Sequence, residues 1–220
     1  GKSSSTGNSY QDDNGFYMST VYWFKYEPIK WRILEEKDGK AFLLCDIAID
    51  SQEYYPSTST LSFNHNGGNG YANNYALSNI RKWLNETFYN TAFNDLQKEI
   101  IQVTKVDNSV ASTGSSSNQY ACADTNDKVF LLSYKEATTY MPSSTAREKK
   151  CTDYAKSQGC GQSTDSSYKG NCWWWLRTPD CNNCNNARNV NSGGYIGNDF
   201  VSSTSSVSYT HLTLPTNSRV

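Results

Sequence analysis

Five cysteines fall between positions 151 and 184, out of seven in the chain, and they are its densest group of reactive side chains. They are Cys151, Cys160, Cys172, Cys181 and Cys184. The run Cys181-Asn182-Asn183-Cys184 has the spacing of a redox dithiol, which works where a helix N-terminus stabilises the thiolate. Asn185-Asn186-Ala187-Arg188-Asn189 follows, and it is no amphipathic helix, so redox catalysis is not expected. A tetrahedral zinc site would draw on Cys160 and Cys172, but the spacings lack the paired regularity of zinc modules. The sequence therefore predicts no metal and no cofactor. Disulfides among the five are the expected use of these thiols, with the connectivity left open.

Nucleophilic catalysis needs a base held in place by a third group. His65 sits in Asn64-His65-Asn66-Gly67-Gly68, a loop without apolar support, and reads as a solvated histidine. There is no GxSxG elbow, no glycine loop leading into a helix to cradle phosphate, and no HExxH. Glu35-Glu36 flanks a predicted turn and reads as solvated. A calcium-dependent lectin would offer Glu-Pro-Asn or Gln-Pro-Asp, of which Thr178-Pro179-Asp180 is only a partial echo. Successive strand residues face opposite ways, so Trp174 and Leu176 are placed in the core, leaving Trp173 and Trp175 as candidates to line a groove. This chemistry points away from an enzyme.

The composition points to recognition. Lys and Arg number 20 against 21 Asp and Glu, a formal net charge of -1. That offers no basic stripe for nucleic acid, and no apolar run approaches the length of a membrane span. Charged residues make up only 19% of the chain, which carries 16 Tyr and 6 Trp. Aromatics with small polar residues are the vocabulary of contact surfaces. Together with the clustered cysteines they predict an extracellular or cell-surface location and a protein, glycan or cell-wall partner. The opening at Gly1, with no leader, fits either a removed signal peptide or a fragment that starts late.

Residues 1–15 read as a linker or frayed end, and 16–206 as one α+β domain. Residues 21–26 are strand-like, and Asp38-Gly39 predicts a hairpin between 29–35 and 41–45. A loop over 51–74 leads to a helix capped by Ser78, with Ile80, Trp83, Leu84 and Phe88 on one face. Phe93, Leu96 and Ile100 continue at helical spacing. Short strands are predicted at 102–106 and 128–132, a more polar helix at 146–157, and a buried strand at 173–176. Trp31, Ile33, Trp83, Leu84, Phe88, Phe130, Leu132 and Trp174 form the expected shared core.

Residues 180–206 show no sustained period, and read as a long irregular face. Its backbone would be satisfied by turns, water and amide side chains. The predicted ligand contacts are Asn182, Asn183, Asn185, Asn186, Arg188, Asn189, Asn191, Tyr195, Asn198 and Asp199, with Tyr195 and Arg188 as energetic anchors. Retroelement diversification of this face is a minor alternative. Its lack of Lys, Glu, Gln, Trp and Met is shared by the equally long stretch 54–80, and so carries no weight.

Four segments in this order, Tyr26-Glu27-Pro28-Ile29-Lys30-Trp31-Arg32-Ile33-Leu34, Ile80-Arg81-Lys82-Trp83-Leu84-Asn85, Lys128-Val129-Phe130-Leu131-Leu132-Ser133 and Trp174-Trp175-Leu176-Arg177-Thr178-Pro179, carry a family resemblance. Over about residues 22–206 the chain resembles domain of unknown function 6273, found in surface and secreted proteins of gut Gram-positive bacteria. The resemblance implies a C-type-lectin-like fold of the formylglycine-generating-enzyme branch: a twisted antiparallel sheet, flanking helices and an irregular ligand face. A non-catalytic binding module is the expected function, against an oxidase of that branch or a structural spacer in a larger surface protein. Residues 207–216, Val-Ser-Tyr-Thr-His-Leu-Thr-Leu-Pro-Thr, resemble a translated transposase-type sequencing adapter. Residues 207–220 are accordingly set aside as an adapter-derived tail, with the family's final strand expected to be missing.

Overall fold

Asp38 and Gly39 both take positive φ, 50° and 72°, the backbone of a two-residue type I′ turn. This turn folds β1 (Trp31–Lys37) back onto β2 (Lys40–Cys45), as the sequence predicts. The register slips between Ile33 and Glu35, a bulge that breaks the simple alternation of β1. Ile33 is consequently 57% exposed and leaves the expected core, while Leu34 packs inward. The computed structural model describes residues 16–17, 21–24, 28–56, 63–65, 68–203 and 211–215. The linker expected at 1–15 lies outside them, and residues 21–24 form no strand. β3 (Phe63–His65) and β4 (Gly68–Gly70) form a two-stranded ladder in the long polar stretch, with His65 opposite Gly68.

Ser78 opens α1 (Asn79–Trp83) by accepting the Arg81 N–H on its hydroxyl at 3.3 Å. The helix runs on through a π turn at Leu84–Phe88 into α2 (Tyr89–Ala92). Ile80, Leu84 and Phe88 are buried as predicted. A reciprocal cap between Asn94 and Gln97 starts α3 (Asp95–Ile100), on which Leu96 is 75% exposed instead of packed. β5 (Thr104–Val106) pairs with β6 (Thr125–Asp127). The strand expected over 128–132 is a bend at Lys128 and Val129 followed by a single bridge at Phe130. Asn85 takes the N–H of Lys128 and Val129 on its Oδ1 and donates to the Val129 carbonyl. Backbone groups met by side chains have no need of a neighbouring strand.

Ser133 and Glu136 cap each other at the start of α4 (Tyr134–Tyr140), a helix the sequence reading missed. The single helix expected at 146–157 is two, α5 (Ser144–Arg147) and α6 (Asp153–Ser157). Between them the chain docks on Ala48: Ala48 N–H donates to Lys150, and Thr152 N–H donates to Ala48. Thr152 then caps α6 through its side chain.

β7 (Trp174–Pro179), β8 (Asn186–Val190) and β9 (Ile196–Phe200) form an antiparallel sheet in that order. The stretch 180–206, expected to be irregular, is therefore largely a β-hairpin. Its alternation is carried by Asn, Gly and Asp, and so is invisible to a hydrophobicity pattern. β10 (His211–Pro215) lies along β2, opposite β1. It falls in the segment set aside as adapter-derived, and Thr-Leu alternation suffices for a strand whatever encoded it.

The expected single core is two clusters. Leu84, Phe88, Phe130 and Trp175 belong to one, with Trp31 and Trp83 against it; Leu132, Trp174 and Leu176 belong to the other. Trp175 is fully buried, its ring 5.6 Å from that of Tyr54, so it lines no groove. β2 and β7 each send side chains into both clusters. The architecture is α+β.

Candidate functional site: a polar hairpin face and a thiol cluster

Arg177 lies where β7 leaves its ladder with β8, and it is 2% exposed. Its guanidinium forms a two-point pair with Glu136, and also donates to Asn108 Oδ1 at 3.1 Å and to the carbonyls of Leu131 and Asp107 at 2.7 and 2.9 Å. A planar donor fork satisfied in this way can be buried without being left uncompensated. Thr178 Oγ1 accepts the Tyr134 N–H, and Tyr54 OH donates to the Arg177 carbonyl. Arg81 pairs with the buried Asp127 at 2.7 Å. Arg81 and Arg177 of the recognisable segments are thus occupied in tying α1 to β6 and β7 to α4.

Asp180, 2% exposed, anchors the hairpin that this scaffold presents. Its Oδ2 accepts the N–H groups of Asn182 and Asn183, and its Oδ1 faces Asn198 Nδ2 at 3.3 Å and Arg188 at 3.6 Å. Asn73 donates from Nδ2 to the carbonyls of Asn183 and Asn186. At the far end, Asn191 Oδ1 accepts the N–H groups of Gly193 and Tyr195, and buried Arg147 donates to the Gly194 carbonyl. Gly194 has φ of 77°, and a Cβ there would sit 1.8 Å from the Ser144 carbonyl oxygen. Only glycine fits this turn.

The register places Arg188 opposite Asn198, Asn186 opposite Phe200 and Asn189 opposite Gly197. Of the ten predicted contacts, Asn182, Asn183, Tyr195 and Asn198 are exposed, and Asn185, Asn186, Arg188, Asn191 and Asp199 are half-buried. Asn189 is 4% exposed and points inward beside Ala187, so it is not available to a ligand. Asn186, Arg188 and Asn198 share the outward face, as strand alternation requires. Phe200, 52% exposed on that same face, was not among the predicted residues. Its signal is the alternation of Ile196, Asn198 and Phe200 against Gly197 and Asp199.

The structure separates the five cysteines into two groups, and all seven in the chain are free thiols, so the expected disulfides are not formed. Cys181 and Cys184 flank the Asp180 turn, half-buried. Cys151, Cys160 and Cys172 converge, with their Sγ atoms all within 4.8 Å of one another. Gln162 Nε2 donates to Cys151 Sγ at 3.2 Å. Hydrogen bonds from Cys160 and Cys172 hold the Cys151 thiol well below its usual range, and their contacts with Cys151 push the other two thiols up. Sequence spacing does not reveal this convergence, because the three thiols come from segments brought together only by the fold.

Fold and site together define an α+β domain whose recognisable motifs build a scaffold and whose outward surface is a polar hairpin. A family model described as Domain of unknown function (DUF6273) matches residues 38–209. The chain belongs to this family. No curated protein and no solved structure matches it. No helix among the described residues is long and apolar enough to cross a membrane.

Proposed function

We propose that this domain is a non-catalytic, C-type-lectin-like recognition module of the cell surface or extracellular space, with the outward face of β8 and β9 as its binding surface. The observation that carries this reading is the combination on one face of Asn186, Arg188, Asn198 and exposed Phe200, with Tyr195 at the turn, on a hairpin fixed from below. Exposed aromatics beside an Arg and adaptable amides are the composition of contact hot spots. The scaffold supports the reading too, because Arg177, Glu136, Arg81 and Asp127 are engaged in pairs that hold elements together. The partner is a protein, glycan or cell-wall polymer.

The test is an array of cell-wall, glycan and protein ligands probed with the wild-type domain and the Tyr195→Ala/Phe200→Ala double variant. Binding should fall at least tenfold, with the denaturation midpoint shifted by no more than surface sites allow, about 0.5 kcal/mol each. Unchanged binding would move the ligand face elsewhere, with the open cleft of about 450 Å³ beside Trp83 the next candidate. Turnover of any arrayed ligand would overturn the non-catalytic reading.

A further inference from the structure

We propose that Cys151, Cys160 and Cys172 form a three-cysteine zinc(II) site. The three side chains are 7%, 0% and 0% exposed, and their Sγ atoms lie within 4.8 Å of one another. Thiolates bound to one zinc at about 2.3 Å stand roughly 3.8 Å apart, so the arrangement accepts the ion with small adjustments. A disulfide would use two of the three and leave the third buried and unused. The donor set is all sulfur, which suits a thiophilic d¹⁰ ion and disfavours calcium or magnesium.

The backbone holds each ligand in place before the metal arrives. Cys151 is bridged to Ala48. Cys160 donates its N–H to Ala155 just beyond α6, after Gly159 at φ 98°. Cys172 donates its N–H to Lys149 and is bridged to Gln162. Three thiolates and one Zn²⁺ sum to a single negative charge. The Gln162 amide donates to Cys151 Sγ, as outer-shell donors to metal thiolates do. A small exogenous ligand such as water completes the tetrahedron.

The surroundings show what the ion would contribute. Among the described residues, the buried cluster here consists of Ala48, Ala155 and the three cysteines. Alanine and thiol side chains bury little apolar area, so this corner has a weak hydrophobic core of its own. A metal linking the segment before α6, the segment after it and the approach to β7 supplies the missing cohesion.

The experiment uses the full chain, purified under reducing conditions and titrated with Zn²⁺ against a chromophoric chelator. One equivalent should bind, and Cys151→Ser, Cys160→Ser and Cys172→Ser should each weaken affinity at least tenfold. The Cys181→Ser/Cys184→Ser control should bind as the wild type does. Because a ligand variant can fail to fold, the wild type is also loaded with Co²⁺ and footprinted with iodoacetamide. The expected result is a thiolate-to-cobalt charge-transfer band, with Cys151, Cys160 and Cys172 selectively protected by zinc. Failure to bind zinc, protection of other cysteines, copper(I) binding without zinc binding, or a disulfide-linked peptide joining two of the three in the secreted protein would each overturn the assignment. None of these results bears on the hairpin face, whose test is ligand binding.

Discussion

Arg177 shows how one side chain commits several elements. It ties β7 to α4 through Glu136, and to the extended segment before α4 through Leu131. Replacing it with Met would leave the half-buried Glu136 carboxylate without its cation and the buried Leu131 carbonyl without its donor. Arg177→Met should therefore lower stability by about 3–5 kcal/mol, read from the denaturant midpoint. A shift below 1 kcal/mol would show the knot to be dispensable. Tyr140 gives a second check at this scale. Desolvation, with its hydrogen bond to Glu35 at 2.8 Å, pushes its phenol up to about 12. A folded value above the unfolded one means stability that is present below about pH 10 and lost as pH rises through 12. Spectrophotometric titration of Tyr140→Phe should lack that late component, and the alkaline loss of stability should be shallower.

At the level of elements, legibility followed the strength of local signals. The Asp38-Gly39 turn and the Ser78 cap announced themselves, because turn and cap chemistry is local. Ser133 and Glu136 form an equally local capping box that was available to the same reasoning. Three failures had non-local causes. Residues 148–152 leave the helical path because Ala48, a hundred residues away in sequence, offers hydrogen bonds to them. Residues 186–200 pair as a hairpin because Asp180, Asn73 and Arg147, all outside it, hold its ends. Lys128 and Val129 find in Asn85 a substitute for a neighbouring strand. That last arrangement is testable. Asn85→Ala leaves the N–H groups of Lys128 and Val129 without their acceptor, and should cost about 1–3 kcal/mol. Asn85→Asp keeps that acceptor and loses only the amide's own donations, so it should cost less. Equal losses from both would place the weight on the donations to Arg81 and Val129 instead.

The whole molecule raises the question of whether its two larger apolar clusters are separable. They share elements in a way that forbids it. Ala41, Leu43 and Cys45 of β2 enter the first cluster, while Leu44 from the same strand enters the second. β7 repeats the pattern, with Trp175 in the first and Trp174 and Leu176 in the second. A strand whose alternate residues serve two cores cannot leave one without abandoning the other. The Trp174 indole N–H adds a further tie by donating to the Arg147 carbonyl at 2.9 Å, reaching the helix that holds the hairpin turn. Unfolding should accordingly be one transition, with near- and far-ultraviolet circular dichroism coinciding. Trp175→Ala in the first cluster should cost about 3–5 kcal/mol, and Leu176→Ala in the second about 2–5 kcal/mol. Both should lower the denaturation midpoint without changing the dependence on denaturant. If Leu176→Ala instead produced a second, earlier transition while the signal from Trp175 stayed native, the clusters would be independent folding units and the shared-strand account would fail.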